Sequence, residues 1–278
     1  MNAGFIGMST EGLAFAKTLY NSYLSKKEGI FVNGIVCKTL EYTTQAAIRV
    51  RGKAYFSVND AINDNDILFV CLPDSKLAQF SEYLKANYVK NKILCHFSKK
   101  YDSSILSCGT TNSCYSINFP YLLSSDKPAD LSKTLVLVEG SGRKDDEFME
   151  IMSKSLEKVV FTTKDNRRLT GIAHKFATVF LKGIINISRH LFKIAGTYDE
   201  DCFSEEVGKF AVKEAKSENT SITPSDADDI RKNLRVLSAI NYSDTRELYK
   251  NMEYHLLVNG NYTPDEHENI LQTLKRKR

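Results

Sequence analysis

Apolar and polar positions follow two regimes along the chain. Up to about Lys164, short apolar runs alternate with segments of helical spacing. The runs cover 3–7, 30–38, 67–74, 92–98, 134–140 and 158–163, and each reads as a strand. The run ILFVCLP is continuously apolar, as a strand covered on both faces would be. Between the first two runs, Leu13, Ala16, Leu19, Tyr20, Tyr23 and Leu24 mark one helical face. Further helices are predicted over 57–66, with Ser57 as N-cap, over 75–88 and over 145–157.

Beyond Lys164 the period changes. Leu169, Ile172, Ala173, Phe176, Val179, Phe180, Ile184, Ile187, Leu191 and Ile194 hold a 3.6-residue repeat through one long helix closed by Gly196. More helices follow. One has Pro224 in its first turn, one runs from a Ser243 cap to Gly260, and one opens with the capping box Thr263 to Glu266. The pattern predicts an N-terminal Rossmann-type α/β domain over 1–164, a doubly wound parallel sheet, and an all-helical domain over 165–278.

Composition narrows the function classes. Lys+Arg 38 against Asp+Glu 34 gives a net charge of +4, too mild to argue for nucleic acid. The closing LKRKR is a basic end to a helix, where cations suit the dipole. The six cysteines, Cys108 and Cys202 among them, show no metal-type pairing. No signal peptide and no run of eighteen apolar residues is present, so a reduced, cytoplasmic setting without membrane contact is expected.

Ligands of doubly wound sheets bind beyond the carboxyl ends of the strands. The first such segment is GFIGMSTEG, which reads G-x-S-x-x-G where a dinucleotide fingerprint reads G-x-G-x-x-G. Gly7 can make the tight turn and Gly12 can let the helix pack on the strand. Ser9 takes the second glycine's place, and its hydroxyl can donate to phosphate. With Met8 and Thr10 these residues form the predicted pyrophosphate turn at a helix N-terminus. The second strand ends in Lys38 and Thr39 instead of the acid that reads an NAD ribose. A cation and a hydroxyl suit a 2′-phosphate, so NADP is expected over NAD. Leu72, Pro73 and Asp74 close the third run and complete the predicted cofactor site. His96, at the end of the next strand, sits at the same edge.

The order of these pieces resembles the β-hydroxyacid dehydrogenase and pyrroline-5-carboxylate reductase superfamily, in particular its Rossmann-like oxidoreductases. The residues that carry the likeness are the GFIG turn, Pro73-Asp74, His96-Phe97-Ser98 and His174 early in the long helix. The resemblance implies hydride transfer to a small carbonyl or imine compound, with a homodimer formed through the helical domain. Dehydrogenases of the group place a lysine four residues after a glycine, and GIAHK keeps that spacing with Gly171 and Lys175. Hydride addition builds charge on the substrate heteroatom, so a positioned acid must supply a proton, and His96, His174 and Lys175 are the candidates. The sequence departs from the pattern at Ser9, at Lys99 after Ser98, at Phe119 before Pro120, and at Thr178 and Val179 where Asn is usual. These departures keep a second reading open, a non-catalytic dinucleotide-fold protein acting as ligand sensor or interaction module. Gly171, Lys175, Thr178 and Lys182 also form a polar stripe of the kind that is usually just a helix's wet face.

Overall fold

The computed structural model describes residues 1–107, 111–120, 130–141, 144–216, 226–259 and 262–275. Cys108, Pro224, Gly260 and the last three residues of the basic tail lie outside these. The chain divides into two compact units, Met1–Phe180 and Leu181–Arg278.

The first unit is built on an eight-stranded sheet, β1 (Asn2–Ile6), β2 (Phe31–Val36), β3 (Lys53–Ala54), β4 (Ile67–Val70), β5 (Ile93–His96), β6 (Ser113–Asn118), β7 (Leu135–Ser141) and β8 (Lys158–Thr162). Its order is β3-β2-β1-β4-β5-β6-β7-β8. Every pair is parallel except β6 with β7. The chain crosses from β3 to β4, so β1 and β4 are neighbours that feed helices on opposite faces.

Those helices are α1 (Thr10–Lys26), α2 (Leu40–Val50), α3 (Val58–Asn63), α4 (Asp74–Ala86) and α5 (Asp145–Ser155). One core layer joins α1, α2 and α5 to the sheet, centred on Phe5, Phe15, Phe69 and Phe148. Phe5 stacks on Phe69 at 4.9 Å and Phe15 meets Phe69 edge-on at 5.2 Å. The other layer packs α3 and α4 beneath Leu68, Val70, Leu77, Phe80 and Leu84. Each such side chain taken fully out of water contributes about 1.5–3 kcal/mol, which is what holds helices to both faces. Ser57 caps α3 as expected, its Oγ accepting from Asp60 N at 3.1 Å.

Two strands escaped the hydrophobic pattern. β3 is two residues long, and β6, SCYSIN, mixes serines with buried Cys114, Tyr115 and Ile117. Its serines are buried because the neighbouring segments supply partners. Ser116 Oγ, for example, accepts from Arg167 Nη1 at 3.3 Å.

The unit ends with α6 (Lys164–Lys175), capped by Thr163 Oγ1 accepting from Asn166 N, and a π turn over Phe176–Phe180. The polarity of this segment is inverted. The row Arg167, Thr170, His174 and Thr178 is its least exposed side, with Arg167 buried. The apolar row is open, from Leu169 at 65% exposed to Phe180 at 48%.

The second unit is helical, with α7 (Leu181–Ile194), α8 (Glu200–Lys216), α9 (Ala227–Ala239), α10 (Ser243–Asn259) and α11 (Pro264–Lys275). Gly196 closes α7 at φ +71°, with Thr197 N donating to Phe192 O. The capping box of α11 is formed, Thr263 N donating to Glu266 Oε2 at 2.9 Å and Glu266 N to Thr263 Oγ1 at 3.4 Å. Ser243 is the first residue of α10 instead of its cap, since Arg246 N already bonds Tyr242 O. A small core of Ile230, Leu234, Leu257, Ile270 and Leu274 joins α9, α10 and α11. Among the described residues no helix is long and apolar enough to cross a membrane.

Candidate dinucleotide site

The turn after β1 is shaped by what surrounds its glycines. Gly7 has φ +75°, a left-handed conformation that glycine adopts without strain, and a Cβ there would stand 2.9 Å from Cys71 O. A Cβ on Gly12 would stand 2.5 Å from Cys71 Sγ, so α1 packs on β4 only because that atom is absent. Burial pushes the Cys71 thiol far up, and it serves as an inert packing atom. Ser9 is the N-cap of α1, its Oγ accepting from Gly12 N at 3.0 Å. The serine thus satisfies one first-turn N–H and keeps its own hydroxyl proton. The N–H groups of Thr10 and Glu11 have no intrahelical acceptor, as in any first turn.

Beside this turn lies a cleft of about 940 Å³. It opens where β1 and β4 diverge into helices on opposite faces, the place where doubly wound sheets hold ligands. Of the residues expected at the cofactor site, Gly7, Met8, Lys38, Leu72 and Pro73 line it, whereas Ser9, Thr10, Gly12, Thr39 and Asp74 do not. Thr39 is spent as the N-cap of α2, its Oγ1 accepting from Tyr42 N at 3.4 Å, and Asp74 is the exposed first residue of α4.

Several lining residues were not legible in advance. Tyr42, Gln45, Ala46 and Arg49 project from one face of α2 at i, i+3, i+4 and i+7, and Lys76 comes from the first turn of α4. The spacing was present in the sequence, but the convergence of α2 with α4 is tertiary. The lining therefore carries three cations, Lys38, Arg49 and Lys76, and no Asp or Glu. None of the three has a carboxylate within ion-pair distance among the described residues. The rest is largely apolar, with Leu13, Val58, Phe80 and Tyr83, and two amides, Gln45 and Gln79.

The three candidate acids lie elsewhere and differ from one another. His96 is fully buried. Ser98 N donates to its Nδ1 at 3.1 Å, which leaves the ring proton on Nε2 to be donated to Asp102 O at 3.0 Å. Burial, assisted by nearby Arg167, pulls its pKa down to about 4, so the ring is neutral and both nitrogens are occupied. Beside it runs a buried polar chain. Arg167 Nη1 donates to Ser98 O and Ser116 Oγ, and its Nε stands 3.7 Å from Glu139 Oε2. Glu139 also accepts from Ser103 N and Ser103 Oγ. Lys164 pairs with Asp102 at 2.5 Å and holds that carboxyl down to about 2. This network fixes the start of α6 to the carboxyl edge of the sheet. On α6 itself, Lys175 is exposed, while His174 is half-buried with an Nε2 that is out of water and unpartnered.

The mostly parallel sheet, the turn after β1 and the helical unit that follows make a fold shared with several solved structures. The chain is similar to a protein of Bacteroides fragilis assigned as an NADP oxidoreductase, with TM-score 0.70 and 17% identity over 96% of this chain and 98% of that one. It is similar to a Thermotoga maritima protein at TM-score 0.65 and 15% identity, over 91% and 98%. An imine reductase of Aspergillus terreus, solved with NADPH4 and dibenz[c,e]azepine, matches at TM-score 0.60 and 12% identity over 98% of both chains. No protein-family model matches the sequence, and no curated protein does.

Proposed function

We propose that the protein is an NADP-dependent oxidoreductase that delivers a hydride to a small carbonyl or imine compound. The observation that carries this reading is the acid-free cleft beside the Gly7 turn. Three cations without carboxylate partners, set among apolar walls, suit a nucleotide bearing one phosphate more than NAD. Two of these structural neighbours are described as an NADP oxidoreductase and an imine reductase, which supports the reaction class.

In this reading the turn Gly7–Gly12 and the first-turn N–H groups of α1 hold the pyrophosphate. Lys38, Arg49 and Lys76 hold the 2′-phosphate, and Tyr42 flanks the base. The bound dinucleotide supplies the hydride. The chain must then give a proton to the substrate heteroatom, and His174 is the better placed donor because its Nε2 is withheld from water and from protein partners. His96, locked in its neutral form by two backbone contacts, orders the segment after β5. The exposure of Lys175 and the locked state of His96 favour the second reading, a sensor without catalysis, only if His174 proves dispensable.

Calorimetric titration of NADPH and NADH against the wild type, Lys38→Ala and Arg49→Ala tests the cofactor. A charge-assisted hydrogen bond to phosphate contributes about 1.5–3 kcal/mol, so NADPH should bind about tenfold or more tightly than NADH. Each substitution should shrink that preference and leave NADH affinity nearly unchanged. Equal binding of both, or binding of neither at millimolar concentration, would overturn the reading. Oxidation of NADPH by a panel of cyclic imines and ketones, lost in His174→Ala, separates enzyme from sensor.

A further inference from the structure

The cations of the cleft suit a phosphate and leave its two amides without a task. Gln45 and Gln79 stand at the middle of two matching stripes on the helices that wall the cleft. On α2 the stripe reads Tyr42, Gln45, Arg49, and on α4 it reads Lys76, Gln79, Tyr83. Each spaces an aromatic ring, an amide and a cation by three and then four residues, so all three side chains share one helix face. Both amides also have one end fixed. Lys76 Nζ can only donate, and it donates to Gln79 Oε1 at 3.4 Å, which leaves the Nε2 donors of Gln79 free. A carboxylate can only accept, and Gln45 Nε2 donates to Glu41 Oε1 at 3.4 Å, which leaves Oε1 of Gln45 as the free acceptor. The cleft therefore offers one amide donor from α4 and one amide acceptor from α2. Beside them Tyr83 lies nearly parallel to Phe80, at 16° and 5.9 Å, and its hydroxyl is spent on Asn59 Oδ1 at 2.6 Å. That pair supplies a flat apolar wall whose one polar tip is already satisfied.

We propose that Gln45 and Gln79 read the base of the nucleotide and select adenine. The proposal rests on the reading of the cleft as a dinucleotide site and adds to it a discrimination that the phosphate cations cannot supply. The amino edge of adenine carries one donor, N6, beside a ring nitrogen that accepts, which is the complement of a free Gln45 Oε1 and a free Gln79 Nε2. Hypoxanthine and guanine carry O6 in place of the amine, so Gln45 Oε1 would face a second acceptor. Turning the Gln45 amide over does not relieve this, because its oxygen would then meet the Glu41 carboxylate. Lys76 has three N–H donors, so holding Gln79 leaves it others for a phosphate. Stacking on the aromatic wall favours any base equally, so the choice among bases falls to the amides.

Calorimetric titration of the full chain with NADPH, NADH and the hypoxanthine analogue of NADPH tests this. NADPH should bind about tenfold or more tightly than the analogue, the discrimination expected of a base read by side-chain hydrogen bonds. In Gln45→Leu the two should bind within about twofold of each other, since the acceptor that tells them apart is gone. Gln79→Leu should weaken NADPH by about threefold or more. Neither substitution should change the ratio of NADPH to NADH affinity. An analogue that binds the wild type as tightly as NADPH overturns the proposal, and so does a base preference that survives in Gln45→Leu. Loss of the NADPH-to-NADH ratio in either variant places the amides at the phosphate and overturns it as well. Binding of neither NADPH nor NADH removes the cofactor reading and this proposal together. Equal binding of NADPH and NADH with the base preference intact supports the proposal and sinks only the 2′-phosphate assignment. Both amides are exposed, so circular dichroism should be unchanged; if Gln45→Leu does not fold, the wild-type ratio of NADPH to its analogue decides.

Discussion

Acidification from pH 7 to pH 5 should destabilise the first unit through His96 alone by about 2 kcal/mol. In the folded protein burial holds its pKa at about 4, against about 6.5 in an unfolded chain. Between those values the unfolded state takes up a proton that the folded state refuses. Stability is therefore full above pH 6.5 and is lost as pH falls toward 4, reaching about 3 kcal/mol for the whole window. Protonation also puts an N–H on Nδ1, where Ser98 N now donates, so two donors would face each other. Urea unfolding followed by circular dichroism at pH 7, 6 and 5, for the wild type and His96→Gln, isolates the group. Gln can still donate to Asp102 O but does not titrate, so its curve should lack this loss. Histidine C–H resonances read the same quantity directly. A pKa near 6.5 for His96, or parallel pH profiles for both proteins, would refute the reasoning and restore His96 as a proton donor.

Other perturbations follow from contacts already given. Gly12→Ala places a methyl against Cys71 Sγ and should cost about 1–3 kcal/mol, seen as a lower melting temperature and relieved in Gly12→Ala/Cys71→Ala. Arg167→Met leaves Glu139 buried without its cation and should cost about 3–5 kcal/mol, whereas Arg167→Met/Glu139→Leu should cost less, measured by chemical denaturation. Ser57→Ala removes the cap of α3 and should cost about 1 kcal/mol by the same assay.

Much of the first unit was legible because its strands are apolar on both faces and a helix cap such as Ser57 announces itself, as Thr263 does in the second unit. The phosphate turn was legible because Gly7 and Gly12 are needed for reasons local to the turn. Arg49 and Lys76 were not, since nothing in the sequence says that α2 and α4 converge. β6 hid behind serines whose partners, Arg167 above all, arrive from elsewhere in the chain. The long apolar repeat after Lys164 was read correctly as helical, but periodicity gives a helix a face without saying which way it points. Here the buried ion pair decides that, and it turns the polar row inward.

Ser9 changes what the turn after β1 is. With glycine at that position the first turn of α1 would wait for an anion to satisfy Gly12 N, and the loop would sample many conformations until one arrived. The serine hydroxyl already occupies that donor and sets the turn's shape in advance. Ligand entry therefore costs little ordering of the loop but gains one backbone donor fewer. Preorganisation and peak affinity are traded against each other at a single side chain. The turn is held in shape by the chain's own groups.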